Sequence, residues 1–201
     1  MIKLISQSVR QTIIWSLVAG VLYAAVMTVV AQVLFPAQAN GSLVEKDGKI
    51  VGSALLAQQF TGTNYFWPRP SACSYGTGPT GISASSGSNL GPTSGALQTN
   101  VQNNITAFLT GNNLPTNTPV PADMVYASGS GLDPEISPEA ARLQIKRVAA
   151  SRGMSEDKVT ALVAQFTEQP QWGFLGQARV NVLRLNVALD KLANESQPDK
   201  K

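Results

Sequence analysis

The chain has 201 residues, is 43% hydrophobic and only 13% charged, and carries a formal net charge of +3. That charged fraction is about half the roughly 25% of ordinary soluble domains, and the scattered Lys and Arg, interleaved with Asp and Glu, exclude a nucleic-acid footprint. Histidine is absent and cysteine occurs once, at Cys73, which excludes Ser-His-Asp and Cys-His catalytic sets, a zinc site of His and Cys ligands, and an intrachain disulfide. A site of carboxylates alone stays open.

Between Arg10 and Glu45 there is no charge. Residues 13–35, IIWSLVAGVLYAAVMTVVAQVLF, are predicted to form a transmembrane helix. At about 1.5 Å per residue they reach roughly 34 Å, against a hydrocarbon core of about 30 Å. A secretory signal peptide competes, with Ala37-Gln38-Ala39 as a small-x-small cleavage site. The run exceeds the ~7–15 residues of a signal's apolar core, which favours a retained anchor. Lys3 and Arg10 precede it without acids, whereas Glu45, Lys46, Asp47 and Lys49 follow as a mixture. The positive-inside bias then predicts a cytoplasmic N-terminus (residues 1–12), a single pass (13–35) and a periplasmic domain (36–201). Ser16, Gly20, Ala24 and Thr28 recur every four residues, a stripe of small side chains on which another membrane helix can pack closely.

Residues 36–41 read as a short loop. A hairpin follows, with Asp47-Gly48 supplying the positive-φ turn residues, and the apolar run 55–60 is expected to be helical. Residues 70–122 carry no charge and are rich in Gly, Ser, Thr, Asn and Pro, which predicts a long irregular segment. Within it, the Gly/Ser-dominated residues 83–95 read either as a flexible linker or as an ordered loop lying over a partner. Leu97, Val101, Ile105 and Phe108 or Leu109 mark a helix over 96–109.

Residues 127–153, ASGSGLDPEISPEAARLQIKRVAASRG, raise the question of a phosphate-cradling loop. The stretch lacks the Lys-Ser/Thr of a P-loop and the third glycine of a dinucleotide fingerprint, and Asp133 and Glu135 would repel an anion. It reads instead as a helix start: Ser137 as N-cap, Pro138 at the first helical position, Glu139 in the first turn. Arg147 and Arg152 lie toward the far end, where cations suit the dipole, and Gly153 takes the position after the helix. Ser155 is expected to cap a second helix, with Val159, Leu162, Val163 and Phe166 on one face. Val180 and Val182 alternate as in a strand, predicted to run to about Leu185 before turning helical through Leu189 and Leu192. The polar tail from residue 194 is expected to fray. The fold class is therefore α+β: a single N-terminal transmembrane helix, then one extracytoplasmic mixed α/β domain with long irregular loops.

Arg69 is the one charge between Lys49 and Asp123. It either stacks on a ring or holds carbonyls, or it meets a partner or an anionic group. Asp133, Gln144, Asn181 and Asn186 likewise carry two readings, structural bracing or partner contact.

Taken together, GSLVEKDGKIVGSALLAQQF, YFWPRPSA, SGSNLGPT, the 127–153 block and RVNVLRLNVALD resemble the C subunit of the Kdp potassium-transporting P-type ATPase, in that family's order and over nearly the whole chain. The resemblance implies a bacterial inner-membrane complex that hydrolyses ATP to import potassium. It implies as partners a channel-like A subunit carrying the ion path and a B subunit carrying the phosphorylated aspartate and ATP site. A small F subunit is a further candidate, and membrane lipid surrounds the anchor. The C subunit's implied role is that of a catalytic chaperone raising the ATP affinity of the B subunit. No catalytic residue, metal or directly bound cofactor is expected on this chain; ATP and K+ are handled by the complex. The matching positions Gln58, Tyr65, Phe66, Arg69, Ser88, Asn89, Asp133, Gln144, Asn181 and Asn186, together with Trp67, are the candidate contact residues. The family usually has His-Gly where this chain has Trp67-Pro68, so any role of that histidine cannot operate here, and the aromatic suggests packing at a contact surface. A domain outside the cytoplasm cannot touch cytoplasmic ATP, so either the coupling runs through the membrane helix and the other subunits or the orientation is the reverse. Two other classes compete: a pilin-like envelope protein, which shares the apolar helix and globular domain, and an anchored enzyme, disfavoured by the missing histidine and by the lack of carboxylates paired at recognisable spacing.

Overall fold

A computed structural model describes residues 1–73 and 84–195. The chain divides into two units, Met1–Leu43 and Val44–Lys201. The first is a helical run of 33 residues, Ile2–Leu34, with mean hydropathy 2.3, long and apolar enough to cross a membrane. It comprises α1 (Ile2–Leu17), a π turn (Val18–Leu22) and α2 (Tyr23–Leu34). The helix begins well before the predicted apolar segment because nothing in residues 2–12 breaks it. It stops at Leu34 because Pro36 disfavours helical geometry at the residue before it, and Phe35 sits at φ −135°, ψ 53°. The loop expected at 36–41 is instead mostly a helical turn, α3 (Pro36–Ala39), with Pro36 at its first position, where the fixed φ of proline suits a helix.

The π turn bears on the small-residue stripe. Four residues overshoot an α-helical turn by about 40°, so a strict four-residue repeat winds around the helix. A π turn takes in an extra residue per turn and reduces that drift. Ser16, Gly20, Ala24 and Thr28 are all exposed, and Thr28 Oγ1 donates to the Ala24 carbonyl at 2.8 Å.

In the second unit, β1 (Leu43–Lys46) and β2 (Lys49–Ser53) pair as the expected hairpin. Asp47 and Gly48 turn it at φ 52° and 71°. Residues 55–60 do not form the expected helix. They are a turn and an extended loop, because the Leu55 N–H donates to Ser53 Oγ and the Ala57 N–H to the Leu132 carbonyl. Six residues cannot outweigh those bonds when helix nucleation is unfavourable. The helix predicted at 96–109 is present as α4 (Gly95–Gly111), with Ser94 accepting from the Leu97 N–H. Residues 74–83, including Ser83 of the Gly/Ser segment, lie outside the described residues. From Ala84 to Leu90 the segment has no regular structure, yet the Ser86 N–H and Ser85 Oγ–H both donate to the Ser130 carbonyl, at 3.0 and 2.9 Å. It is tied to its own domain.

The core lies among α5 (Pro138–Arg152), α6 (Glu156–Gln165) and α7 (Val182–Glu195), with a small antiparallel sheet of β3 (Glu135–Ile136), β4 (Thr167–Glu168) and β5 (Arg179–Asn181) in the order β3-β5-β4. Val180 faces Ile136 across one edge and Thr167 across the other. Phe66, Val148, Val159, Val180, Leu185 and Leu189 are completely enclosed, each contributing about 1.5–3 kcal/mol by removal from water. The strand expected to reach Leu185 ends at Asn181, whose Oδ1 accepts the Arg184 N–H at 3.1 Å and so starts α7. Ser155 occupies the N-cap of α6 but makes no capping bond; Val159, Leu162 and Val163 are buried as expected, and Phe166 is half-buried. α7 continues into the polar tail as far as Glu195, and residues 196–201 lie outside the described residues.

Ser137 starts α5 as predicted: its Oγ accepts from the Ala140 N–H at 3.0 Å, and its own N–H and hydroxyl donate to the two carboxylate oxygens of Asp123. Gly153 ends the helix at φ 63°. Ser137→Ala is expected to destabilise the domain by about 1–2 kcal/mol, measured by urea unfolding of the full chain in mild detergent.

Candidate functional site

The loop of residues 60–73 has no regular structure, so its backbone groups need partners from elsewhere. Two carboxamides supply them. Asn186 on α7 accepts the Phe66 N–H at 2.9 Å and donates to the Phe66 carbonyl at 3.0 Å. Gln144 on α5 does the same to Trp67, accepting its N–H at 2.7 Å and donating to its carbonyl at 3.3 Å. A carboxamide carries one acceptor and one donor group in a plane, so each side chain pairs with the loop as a neighbouring strand would.

Arg147, three residues after Gln144, is buried beneath the same loop. Its guanidinium donates to the carbonyls of Thr63 at 2.5 Å and Tyr65 at 2.9 Å, to Asn112 Oδ1 at 2.8 Å and to Gln144 Oε1 at 2.9 Å. The Trp67 ring stacks over it, 4.0 Å from its centroid. Among the described residues it forms no ion pair with a carboxylate. Burial, which disfavours the charged form, pulls its pKa down to about 10, so it stays charged at neutral pH. Trp67 donates through Nε1–H to the Gly62 carbonyl at 2.9 Å. Its ring lies so close to α4 that a Cβ at Gly111 would come within 2.7 Å of Cζ3. Trp67 thus packs against the buried cation and forms part of a groove wall.

Asp190 on α7 binds the side chain of Tyr65 in the same loop. It accepts from Lys46 Nζ at 2.6 Å, from Arg152 Nη2 at 2.7 Å and from the Tyr65 hydroxyl at 3.1 Å. Burial pushes its carboxyl up, but the hydrogen bonds from Lys46 and Arg152 outweigh that and hold it below the ordinary carboxylate range. Asp190, Asn112 and Asp123 are the residues that sequence reasoning missed. The one available signal for Asp190 was its place four residues after Asn186, on the same helix face.

The glycine-serine loop proves to be a joint between loops. Ser71 Oγ donates to the Gly131 carbonyl at 2.7 Å, and the Ser128 N–H donates to the Pro70 carbonyl at 3.3 Å. Gly131 has φ 70°, and a Cβ there would lie 2.6 Å from the Ser86 carbonyl oxygen, so a glycine is required. Asp133 accepts the Glu135 N–H at 3.0 Å and forms an ion pair with Arg69. Arg69 therefore meets an anionic group, and that group is an acid of its own domain. Asn181 Nδ2 donates to the Ala54 carbonyl at 2.7 Å, and Gln58 Nε2 to the Val51 carbonyl at 2.8 Å. Phe66, Gln144, Asn181 and Asn186 are buried, Gln58, Tyr65, Trp67, Arg69 and Asp133 half-buried, and Ser88 and Asn89 exposed.

An open groove of about 590 Å³ runs beside the braced loop, lined by Gln59, Phe60, Trp67, Pro68, Arg69, Ser71, Asn104 and Met124 among others. Its one charged lining residue, Arg69, already faces Asp133. No group of three or more Asp, Glu, Cys or His able to hold a metal occurs among the described residues. The groove offers neutral polar and apolar surface, suited to packing rather than acid-base work. A second groove of about 460 Å³, lined by Asp123, Tyr126, Asp133, Glu135 and Arg179 among others, is charged. There burial pushes the Glu135 carboxyl up, and Arg179 only partly offsets it.

The model of the family described as KdpC, K+-transporting ATPase, c chain, matches residues 5–191. The chain belongs to the KdpC family. Curated proteins described as potassium-transporting ATPase KdpC subunits are similar to it throughout. The one from Methylococcus capsulatus is 50% identical over 196 residues, covering 96% of this chain and all of the relative. Those from Herpetosiphon aurantiacus and Geobacter metallireducens are 52% and 47% identical, over 90% and 94% of this chain and 92% and 98% of their own lengths. Membership in the KdpC family places the braced loop and its groove in a subunit of a potassium-transporting ATPase.

Two outcomes follow from this geometry. Gly111→Ala is expected to displace the Trp67 ring and destabilise the domain by about 1–3 kcal/mol, visible as a red shift in tryptophan emission together with a lower urea midpoint. Asp190→Asn is expected to cost about 1–2 kcal/mol near neutral pH. A carboxyl held below its unfolded value adds stability that is complete above about pH 3.9 and is lost as pH falls through the folded value. The variant's stability is therefore expected to fall less steeply than the wild type's below about pH 4, measured as urea midpoint against pH.

Proposed function

We propose that this chain is a non-hydrolysing accessory subunit of an ATP-driven potassium uptake pump. It assembles and stabilises the channel-like and ATP-hydrolysing subunits. The helix Ile2–Leu34 is a retained anchor in the bacterial inner membrane, with the N-terminus in the cytoplasm and the domain outside. The observation that carries this reading is the KdpC match over residues 5–191. The length of the helix supports the anchor, since a signal's apolar core runs to only about 15 residues. From Ile50 to Ala122 the sole charge is Arg69, which is paired with Asp133. That nearly uncharged stretch suits contact with a neutral protein surface better than with an ionic ligand. The exposed stripe of Ser16, Gly20, Ala24 and Thr28 supplies a membrane-level contact.

The raised ATP affinity of the catalytic subunit is, in this proposal, an indirect effect. A contact that differs by about 1–3 kcal/mol between two states of the pump changes ligand affinity about 5–150-fold, wherever the contact lies. Purification of the tagged chain in mild detergent is expected to recover a channel-like subunit and a P-type ATPase with potassium-stimulated activity. Omitting the chain is expected to abolish that activity or to raise the ATP concentration needed for half-maximal rate. Recovery of the chain alone, or as filaments, would put the envelope-protein reading in its place.

A further inference from the structure

Among the described residues, the most exposed aromatics of the second unit sit at one point. Between Glu168 and Arg179 the chain reads QPQWGFLGQA. Gln171 and Leu175 pair across a tight hairpin, each N–H donating to the other's carbonyl at 2.9 Å. The three residues between them hold the rings outward: Trp172 is 84% exposed, Phe174 73% and Leu175, beside them, 44%. The Trp172 and Phe174 rings lie 6.4 Å apart at their centroids, tilted by 39°. Trp172 adopts φ 54° and Gly173 φ 83°. A bulky residue with positive φ is a costly choice that a glycine would avoid. Nothing in the domain's own packing explains it, because the ring faces solvent.

Large rigid aromatics presented together on a turn are the side chains that dominate protein–protein hot spots. The charge pattern distinguishes a protein recess from a lipid surface. Peripheral segments that bind bilayers combine apolar residues with Lys or Arg. Residues 169–178 carry no charge. The nearest cations face acids: Arg179 pairs with Glu135 at 2.9 Å and Glu168 at 3.1 Å, and Arg184 lies 3.6 Å from Glu168. We infer that the 171–175 hairpin is a docking knob, inserting Trp172 and Phe174 into an apolar recess on a neighbouring protein subunit of the pump. This rests on the subunit reading above and adds to it the element that makes the contact outside the membrane helix.

The test uses the complete pump, purified with the wild-type chain or with W172G/F174A. Glycine at position 172 keeps the positive φ without strain, so the turn persists while the rings are removed. The variant pump is expected to lose this chain during detergent washes, with an apparent dissociation constant raised at least about tenfold, while near-UV circular dichroism shows the domain still folded. A photo-crosslinking benzoylphenylalanine in place of Phe174 is expected to form an adduct with another pump subunit. Equal retention of the variant, or adducts with phospholipid alone, would overturn the docking knob and leave the subunit reading standing. Failure of the wild-type chain to assemble would overturn the subunit reading itself.

Discussion

A guanidinium buried with no carboxylate opposite it has to be held by oxygen atoms fixed in advance. Among the described residues, Arg147 is in that position, and much of the second unit is arranged around it. Its hydrogen bonds to Thr63, Tyr65, Asn112 and Gln144 set the path of the aromatic loop and tie α4 to α5. Trp67 covers the charge with a ring face, which a cation favours by its attraction to the π cloud. Gly111 leaves the room that the ring needs. Each of these residues depends on the others, because an unpaired buried charge costs several kcal/mol and an unpaired carbonyl about 1–3 kcal/mol.

The same economy of charge shapes the surface. Arg69, Arg152, Arg179 and Lys46 meet acids of their own domain, and the long stretch around α4 carries only amides, hydroxyls and apolar groups. Charge holds the loops in place, and neutral surface is left to meet other molecules. A contact made by such a surface gains little from long-range attraction and is insensitive to salt. On the proposed subunit reading, that suits a lasting association recognised by shape, with the open groove beside Trp67 and the aromatic hairpin at 171–175 as its proposed contacts.

Irregular loops make up much of the second unit, yet they are not slack. Carboxamides of Asn186 and Gln144 pair with loop backbone as strands would, and Gly131 brings loops around Pro70, Ser86 and Ser128 within hydrogen-bonding reach. A scaffold braced in this way can pass a small shift at one loop to its neighbours, since moving one partner breaks several bonds at once.

Local chemistry alone determined several elements. The uncharged run gave the membrane-length helix, Asp47-Gly48 the hairpin turn, Ser137-Pro138-Glu139 the start of α5, and Gly153 its end, because each depends on residues within one or two turns of itself. The family, too, was legible, since its motifs are runs of neighbouring residues. Tertiary structure decided the rest. Residues 55–60 became a loop because Leu132, distant in sequence, took the Ala57 N–H, and the last strand stopped at Asn181 because that side chain caps α7. Arg147 and Arg152 looked like dipole partners at the end of a helix, but they bind loop carbonyls and Asp190 from segments more than 35 residues away. No spacing along the chain encodes such contacts, because they form only when distant segments are packed together and their polar groups must find partners away from water.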